Sequence, residues 1–439
     1  MRQVRTITAL GIGVLAFAAV AAAQPSPAME GKTAAEPYLD RENGLSLSDA
    51  VASALEREPT LRAARTEIEV ARGLRLQAGL RPNPMMSFER REQPDGADNQ
   101  TMAGVEWPLD LFRRSARVAV ADREAEAVEH SVTDRTRMLV ADVRLKYGEA
   151  ATAVRALAIA GNLAVSAERD LVLKRARVEE GASPPLERDL VDVESRRLQS
   201  ERLLAHAAAE AAMIELKRAM GMRPETPLRL RDTLDAIVSR VDPGALPAAS
   251  IERPDVRDAE ARVRLADARE DRARSEGRFD VSLFGSYMRM DAGFAQQGFN
   301  RQGTLEPVQG VFHYLAGGAT INLPLRNRNQ GEIAAARAER AGAQARLEAV
   351  QLAADAEIAS AIAQDVRARQ ALEIVEGAVR LSRQNLDVVR QTHELGRATI
   401  SDVLAEQRRY LEIETAYTAT LQRTYEARAF LLRARGERP

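Results

Sequence analysis

Two hydrophobic periods run along this chain, and each recurs in both halves. Some short stretches alternate at every second residue, as a half-buried strand requires. Met86 and Phe88 alternate with Ser87 and Glu89, and Ala103, Val105 and Trp107 alternate with Met102, Gly104 and Glu106. In the second half Phe279, Val281, Leu283 and Tyr287 share one parity, and Val311, Leu315, Ala319, Ile321 and Leu323 another. These patterns predict strands over about 84–92, 100–108, 279–290 and 311–324. The intervening QPDGADN and DAGFAQQGFNRQG read as hairpin loops, rich in the residues that turns favour. After each strand pair the period changes to helical. Over 111–180 there is no proline and only Gly148 and Gly161 interrupt; over 331–395 only Gly342 and Gly377 do. Leu372, Val375, Val379, Ser382, Leu386, Val389 and His393 step by three and four, and Leu404, Leu411, Thr418, Tyr425 and Leu432 step by seven. Such runs would extend on the order of 100 Å at 1.5 Å per residue, too long for a compact domain.

The same order of elements appears twice. RVEEGASPPLERDL at 177–190 parallels THELGRATISDVL at 392–404, with Gly181 matching Gly396, and LKRAMG at 216–221 parallels LLRARG at 431–436, both at an offset of 215. Trp107-Pro108-Leu109 matches Leu323-Pro324-Leu325 at 216, while Glu58-Pro59 matches Arg253-Pro254 at 195. The second half therefore holds roughly twenty extra residues, expected in one loop between Arg289 and Thr320, and the chain reads as a tandem duplication. Repeat 1 occupies 45–222 and repeat 2 occupies 251–436, each a helix, a strand pair and a long helical hairpin with its tip near 181 or 396. Ser46 or Ser48 is placed to cap the first helix. Residues 24–44 form an extended N-terminal segment, and the proline-bearing linker 223–250 joins the halves.

Composition narrows the field. The 439 residues include only 9 Phe, 7 Tyr and 1 Trp, with 63 basic and 64 acidic side chains and no cysteine. Few aromatics and many charges suit long helices. The balanced charge argues against a nucleic-acid binder, and the missing thiols exclude disulfides, thiolate metal sites and cysteine nucleophiles. Arg2 and Arg5 precede an apolar run over 7–23 that ends with Ala21 and Ala23, the pattern of a cleaved secretory signal over 1–23. No other long apolar block is evident, so a membrane would have to be crossed by strands. Four strands cannot close a transmembrane barrel, whose open edges lipid does not tolerate. Three copies would supply twelve.

In these features the chain resembles the TolC-like outer membrane efflux factors, over nearly its whole length after Leu45. The resemblance rests on the signal, the duplicated helix, strand-pair and hairpin order, and the Pro-Leu dipeptide closing each second strand. LRAARTEIEVARGLRLQAGLRPNPMMSFE is most similar to the CzcC-like branch, which partners metal-exporting RND pumps, and LGRATISDVL is close to the family's periplasmic tip. The fold implied is mostly α with a small transmembrane β part: a trimeric twelve-stranded barrel continued by a helical periplasmic tunnel. The resemblance also implies a homotrimeric passive exit duct in the outer-membrane lipid of a Gram-negative cell, engaged by a periplasmic membrane fusion (adaptor) protein and fed by an inner-membrane RND pump. Drug efflux and type I protein secretion use the same conduit; a periplasmic coiled-coil adaptor or structural protein is the reading from another class, disfavoured by the duplicated strands.

Glu187 and Asp402 each stand six residues after a tip glycine, so a trimer would gather six acids at one aperture, where like charges repel and attract cations. The alternative role for both is to favour the dipole in a first helical turn. Arg397 is placed to pair across helices and hold the mouth shut. Ala405 stands where the family often has a second acid. Gly181, Ala182 and Leu186 of the first tip and Gly396, Thr399, Ile400 and Leu404 of the second form the expected docking surface for the adaptor. Trp107, ahead of Pro108, is expected to anchor a strand end at the membrane interface. No metal site is expected: His130, His206, His313 and His393 lack ligand spacing, and Met85, Met86, Met288 and Met290, although thioethers hold soft copper ions, read as lipid-facing or lumen-filling. No catalytic constellation and no cofactor motif is found, so an enzyme is not expected.

Overall fold

The computed structural model describes residues 34–94, 98–240 and 253–436; the expected signal over 1–23 lies outside them. Eight helices and four strands are present among the described residues. In the first half they are α1 (Leu47–Arg57), α2 (Pro59–Gly79), β1 (Met85–Glu92), β2 (Asn99–Pro108), α3 (Arg113–Glu179) and α4 (Pro185–Ala219). After α5 (Leu234–Arg240) the second half repeats the order as α6 (Pro254–Glu276), β3 (Asp280–Phe299), β4 (Leu305–Asn322), α7 (Gln330–Glu394) and α8 (Ile400–Ala434).

Local chemistry explains where the helices begin. Ser46, rather than Ser48, caps α1: its hydroxyl accepts from the Asp49 amide, and the Asp49 carboxylate accepts in return from the Ser46 amide. Proline occupies the first position of α2, α4 and α6, where its missing N–H is not needed. The helices α3 and α7 contain 67 and 65 residues, each about 100 Å at 1.5 Å per residue. Each returns on itself in a hairpin with α4 or α8.

The four strands form one antiparallel sheet in the order β1-β2-β3-β4. The pairing of β2 with β3 joins the two repeats. The extra residues of repeat 2 do not form a loop. They lengthen the strands, with β3 running to Phe299 instead of 290 and β4 beginning at Leu305 instead of 311, so DAGFAQQGFNRQG is largely strand. A register shift between Gly293 and Gln297 interrupts the pairing, and the turn closes at Gly303, whose φ is +78°. Its Gly and Gln residues look like loop in isolation; the partner strand satisfies their backbone groups.

Alternation sorts the strand residues onto two faces, one mainly apolar but with Arg289 and His313, the other mainly polar but with Phe284, Phe312 and Tyr314. One carries Met86, Phe88, Val105, Trp107, Leu283, Tyr287 and Leu315; the other carries Glu89, Gln100, Met102, Glu106, Ser286 and Met288. Along β2 and β3, Ala103, Val105, Trp107, Leu283 and Tyr287 of the first face are exposed, whereas Gln100, Met102, Glu106, Ser286 and Met288 of the second are half-buried.

Where the repeats meet, a single core gathers α1, α3, α4, α5 and α8. Tyr147, Leu216, Met220, Leu230, Leu234 and Leu421 are fully buried there. The Tyr147 hydroxyl donates to the Leu45 carbonyl at 2.8 Å, and Leu230 bridges Leu39 and Leu45. The linker residues thus fasten the N-terminal segment onto α3. The middle of α3 also holds a stretch long and apolar enough, by length and composition, to cross a membrane. Sequence reading overlooked it. It is 44% buried within the single chain, with Ala150 and Leu157 fully enclosed.

Candidate functional site at the hairpin ends

Both long helices end in the same way. Gly181 and Gly396 adopt φ of +73° and +72°, a left-handed conformation open to glycine without a Cβ penalty. The amides of Gly181 and Ala182 donate to Val178 and Arg177 carbonyls, and those of Gly396 and Arg397 donate to His393 and Thr392 carbonyls. Each is a Schellman closure, which satisfies helix-end carbonyls and reverses the chain. Gly181, Ala182, Leu186, Gly396 and Arg397 are exposed, while Ile400 and Leu404 are half-buried.

The two acids are engaged differently. Asp402 forms a capping box with Thr399: its carboxylate accepts from the Thr399 amide at 2.8 Å and hydroxyl at 2.7 Å, and the Asp402 amide donates back to that hydroxyl. The Thr399 bonds, helped by the nearby His393, hold the Asp402 carboxyl below its ordinary range. His393 also closes the turn through Nδ1, 2.8 Å from the Ala398 carbonyl. The sequence Thr399-Ile400-Ser401-Asp402 carries this box openly. Glu187 instead pairs with Lys174 of α3 at 2.7 Å. Among the described residues Arg397 forms no ion pair with either acid.

About two turns further from the tips, Glu194 of α4 is 2% exposed. Its carboxylate accepts from Arg197 at 2.6 Å on its own helix and from Arg408 of α8 at 3.1 Å. Burial alone would raise this carboxyl, but the two guanidiniums overcome that and hold it below its usual value. This bridge couples the two hairpins. Sequence reasoning missed it because Glu194 and Arg408 stand on arginine- and glutamate-rich helices where every such residue looks solvated.

At the other end of the helices, Trp107 lies on the apolar face of the sheet, in register with Leu283, and its indole Nε1 donates to the Pro82 carbonyl at 3.2 Å. Among the described residues no group of three or more His, Cys, Asp or Glu is arranged to hold a metal.

The protein-family model for outer membrane efflux proteins matches residues 50–222 and 245–437. Among curated proteins, none matches. The fold is similar to CusC, described in connection with transmembrane channel formation, at a TM-score of 0.71 and 17% identity over 94% of this chain and 98% of that one. It is also similar to a membrane protein from Pseudomonas aeruginosa (TM-score 0.69, 22% identity, 89% and 92% covered). The open state of the Neisseria gonorrhoeae MtrE outer membrane channel gives a TM-score of 0.70 at 20% identity, with 89% and 88% covered. Two family-matched segments that span both repeats, on a fold shared end to end with outer membrane channels, place this chain in the outer membrane efflux protein family, whose members are channels and not enzymes.

Proposed function

We propose that three copies of this chain form the passive outer-membrane exit duct of a tripartite efflux system. The observation that carries this is an incomplete surface. Among the described residues β1 and β4 pair on one side only, leaving two open edges beside an apolar face. Closure of three four-stranded sheets into a twelve-stranded barrel would remove every edge. The helices point the same way. Along α7 and at its C-cap, Ile374, Leu381, Val388 and Leu395 stand seven residues apart and are 74%, 63%, 60% and 74% exposed, a heptad stripe for which the single chain has no partner. The half-buried polar face would line the lumen and the exposed apolar face would meet lipid, with Trp107 at the interface.

On this reading the hairpin ends face the periplasm. Gly181, Ala182, Leu186, Gly396, Thr399, Ile400 and Leu404 dock the adaptor, which links the duct to an inner-membrane RND pump. Asp402, with Glu187 behind it, lines the aperture; the Asp402 carboxyl keeps its charge while capping α8, and Arg397 is the cation available to pair across copies. The proposed cargo is a heavy-metal cation, on the similarity of the α2–β1 segment to the CzcC-like branch.

Reconstitution in planar bilayers tests the duct. Discrete conductance steps from detergent-resistant trimers are expected, and a monomeric, non-conducting preparation would overturn the reading. The Asp402→Ala/Glu187→Ala variant should lose cation preference; unchanged selectivity would remove these acids from the aperture. Cysteines at Ala182 and Ala398 should cross-link to the adaptor, and absence of any adduct would count against docking there. In cells lacking the duct, the gene should restore metal tolerance; restored drug tolerance alone would assign drug efflux instead.

A further inference from the structure

The strand register brings together methionines that lie far apart in sequence. Met102 of β2 stands opposite Met288 of β3, and Met290 is the next residue on the same face of β3. All three are half-buried on the polar side of the sheet. The Gln100 side-chain amide is directed at Sδ of Met288, so that sulfur lies among the β2 side chains of this face. Beside Met102 lies a cavity lined by Glu89, Arg91, Gln100 and Met102.

We infer that Met102, Met288 and Met290 form a thioether site on the channel wall for a soft monovalent cation, Cu(I) or Ag(I). Thioethers are neutral, polarisable donors that prefer such ions over hard divalent cations. Met102 and Met288 are directly opposed, about 4.5–5.5 Å apart, and Met290 is the diagonal neighbour of Met102 at about 7–8 Å, a span that long thioether side chains can close around one ion without rearranging the backbone. Glu89, in register with Met102 on β1, adds a carboxylate to the same face, its charge shared with Arg91. The position on a wall that lines the lumen rests on the duct reading; the donors themselves all come from one chain. Methionine also serves as a gap-filler beside aromatic rings, and Tyr314 and Phe312 stand opposite Met288 and Met290 on β4. Filling and binding separate on replacement by leucine, which conserves volume and removes the donor.

The test uses the full-length protein purified in detergent, titrated with Ag(I) by isothermal calorimetry, and the same protein in planar bilayers. One Ag(I) per chain is expected for the wild type, and none for Met102→Leu/Met288→Leu/Met290→Leu, whose conductance without silver should be unchanged. A Met85→Leu/Met86→Leu control, at the opposite end of the strands, should bind as the wild type does. Absence of silver binding to the wild type, or binding that survives the triple substitution, overturns the site. Silver binding without conductance would retain the site and reject the duct; conductance without silver binding would do the reverse.

Discussion

Gly148 of α3 lies flat against the ring of Tyr425 of α8: a Cβ built on the glycine would fall 2.2 Å from Cε1. The tyrosine hydroxyl then donates to the Arg144 carbonyl at 2.8 Å. The absence of one side chain thus lets a helix of the second hairpin dock on the first.

Alanine at Gly148 would ordinarily favour an α-helix by about 1 kcal/mol. Here the clash with a buried ring should dominate, because overpacking a filled core costs typically ~1–3 kcal/mol. Gly148→Ala should lower the thermal midpoint of the purified protein, and adding Tyr425→Leu should recover part of the loss. A stabilised single variant would show that the contact is soft.

Glycines at helix ends should differ in a set order. Gly181 and Gly396 have positive φ but open space around them, so alanine there should cost about the 1–2 kcal/mol of the left-handed conformation. Gly221 combines φ of +69° with a Cβ position 2.9 Å from the Glu58 Cα. Gly221→Ala should therefore be the most destabilising of the three in denaturant melts, and equal midpoints would refute the ranking.

The Glu194 bridge predicts both non-additivity and a pH effect. Arg408→Ala leaves Arg197 in place and should cost little, whereas removing both arginines strands a buried charge, at about 3–5 kcal/mol. A double-mutant cycle measures the excess. The folded pKa of Glu194 is depressed below 4.5, so its stabilisation is fully present above pH 4.5 and is lost as pH falls through the folded value. The stability difference between wild type and Glu194→Gln should accordingly shrink with acidification below 4.5; a difference that grows would contradict the arrangement.

Thr399→Ala removes the N-cap of α8 and should cost about 1 kcal/mol. Hydrogen exchange localises it: the amides of the first turn of α8 should lose protection, while those around Tyr425 remain protected. Uniform loss would mean that the cap supports the whole hairpin. The Asp402 share of this cap holds above its ordinary pKa of 3.8 and disappears as pH falls through its depressed folded value.

Much of this arrangement was written in local sequence. Helices capped by Ser46 and Thr399, hairpins reversed at Gly181 and Gly396, and strands alternating at Met86, Phe88, Val105 and Trp107 depend on residues near one another in the chain. Hydrophobic period and backbone conformational limits act over a few residues, so they can be read without a fold. Pairings across the chain could not. That Met102 faces Met288, that Glu194 meets Arg408, that Gly148 receives Tyr425, and that a glycine- and glutamine-rich stretch becomes strand were decided by strand register and helix packing. The reason is physical: a charge on a helix or a glycine in a long run has the same local preferences whether solvated or buried, and only the partner surface, hundreds of residues away in sequence, sets which it is.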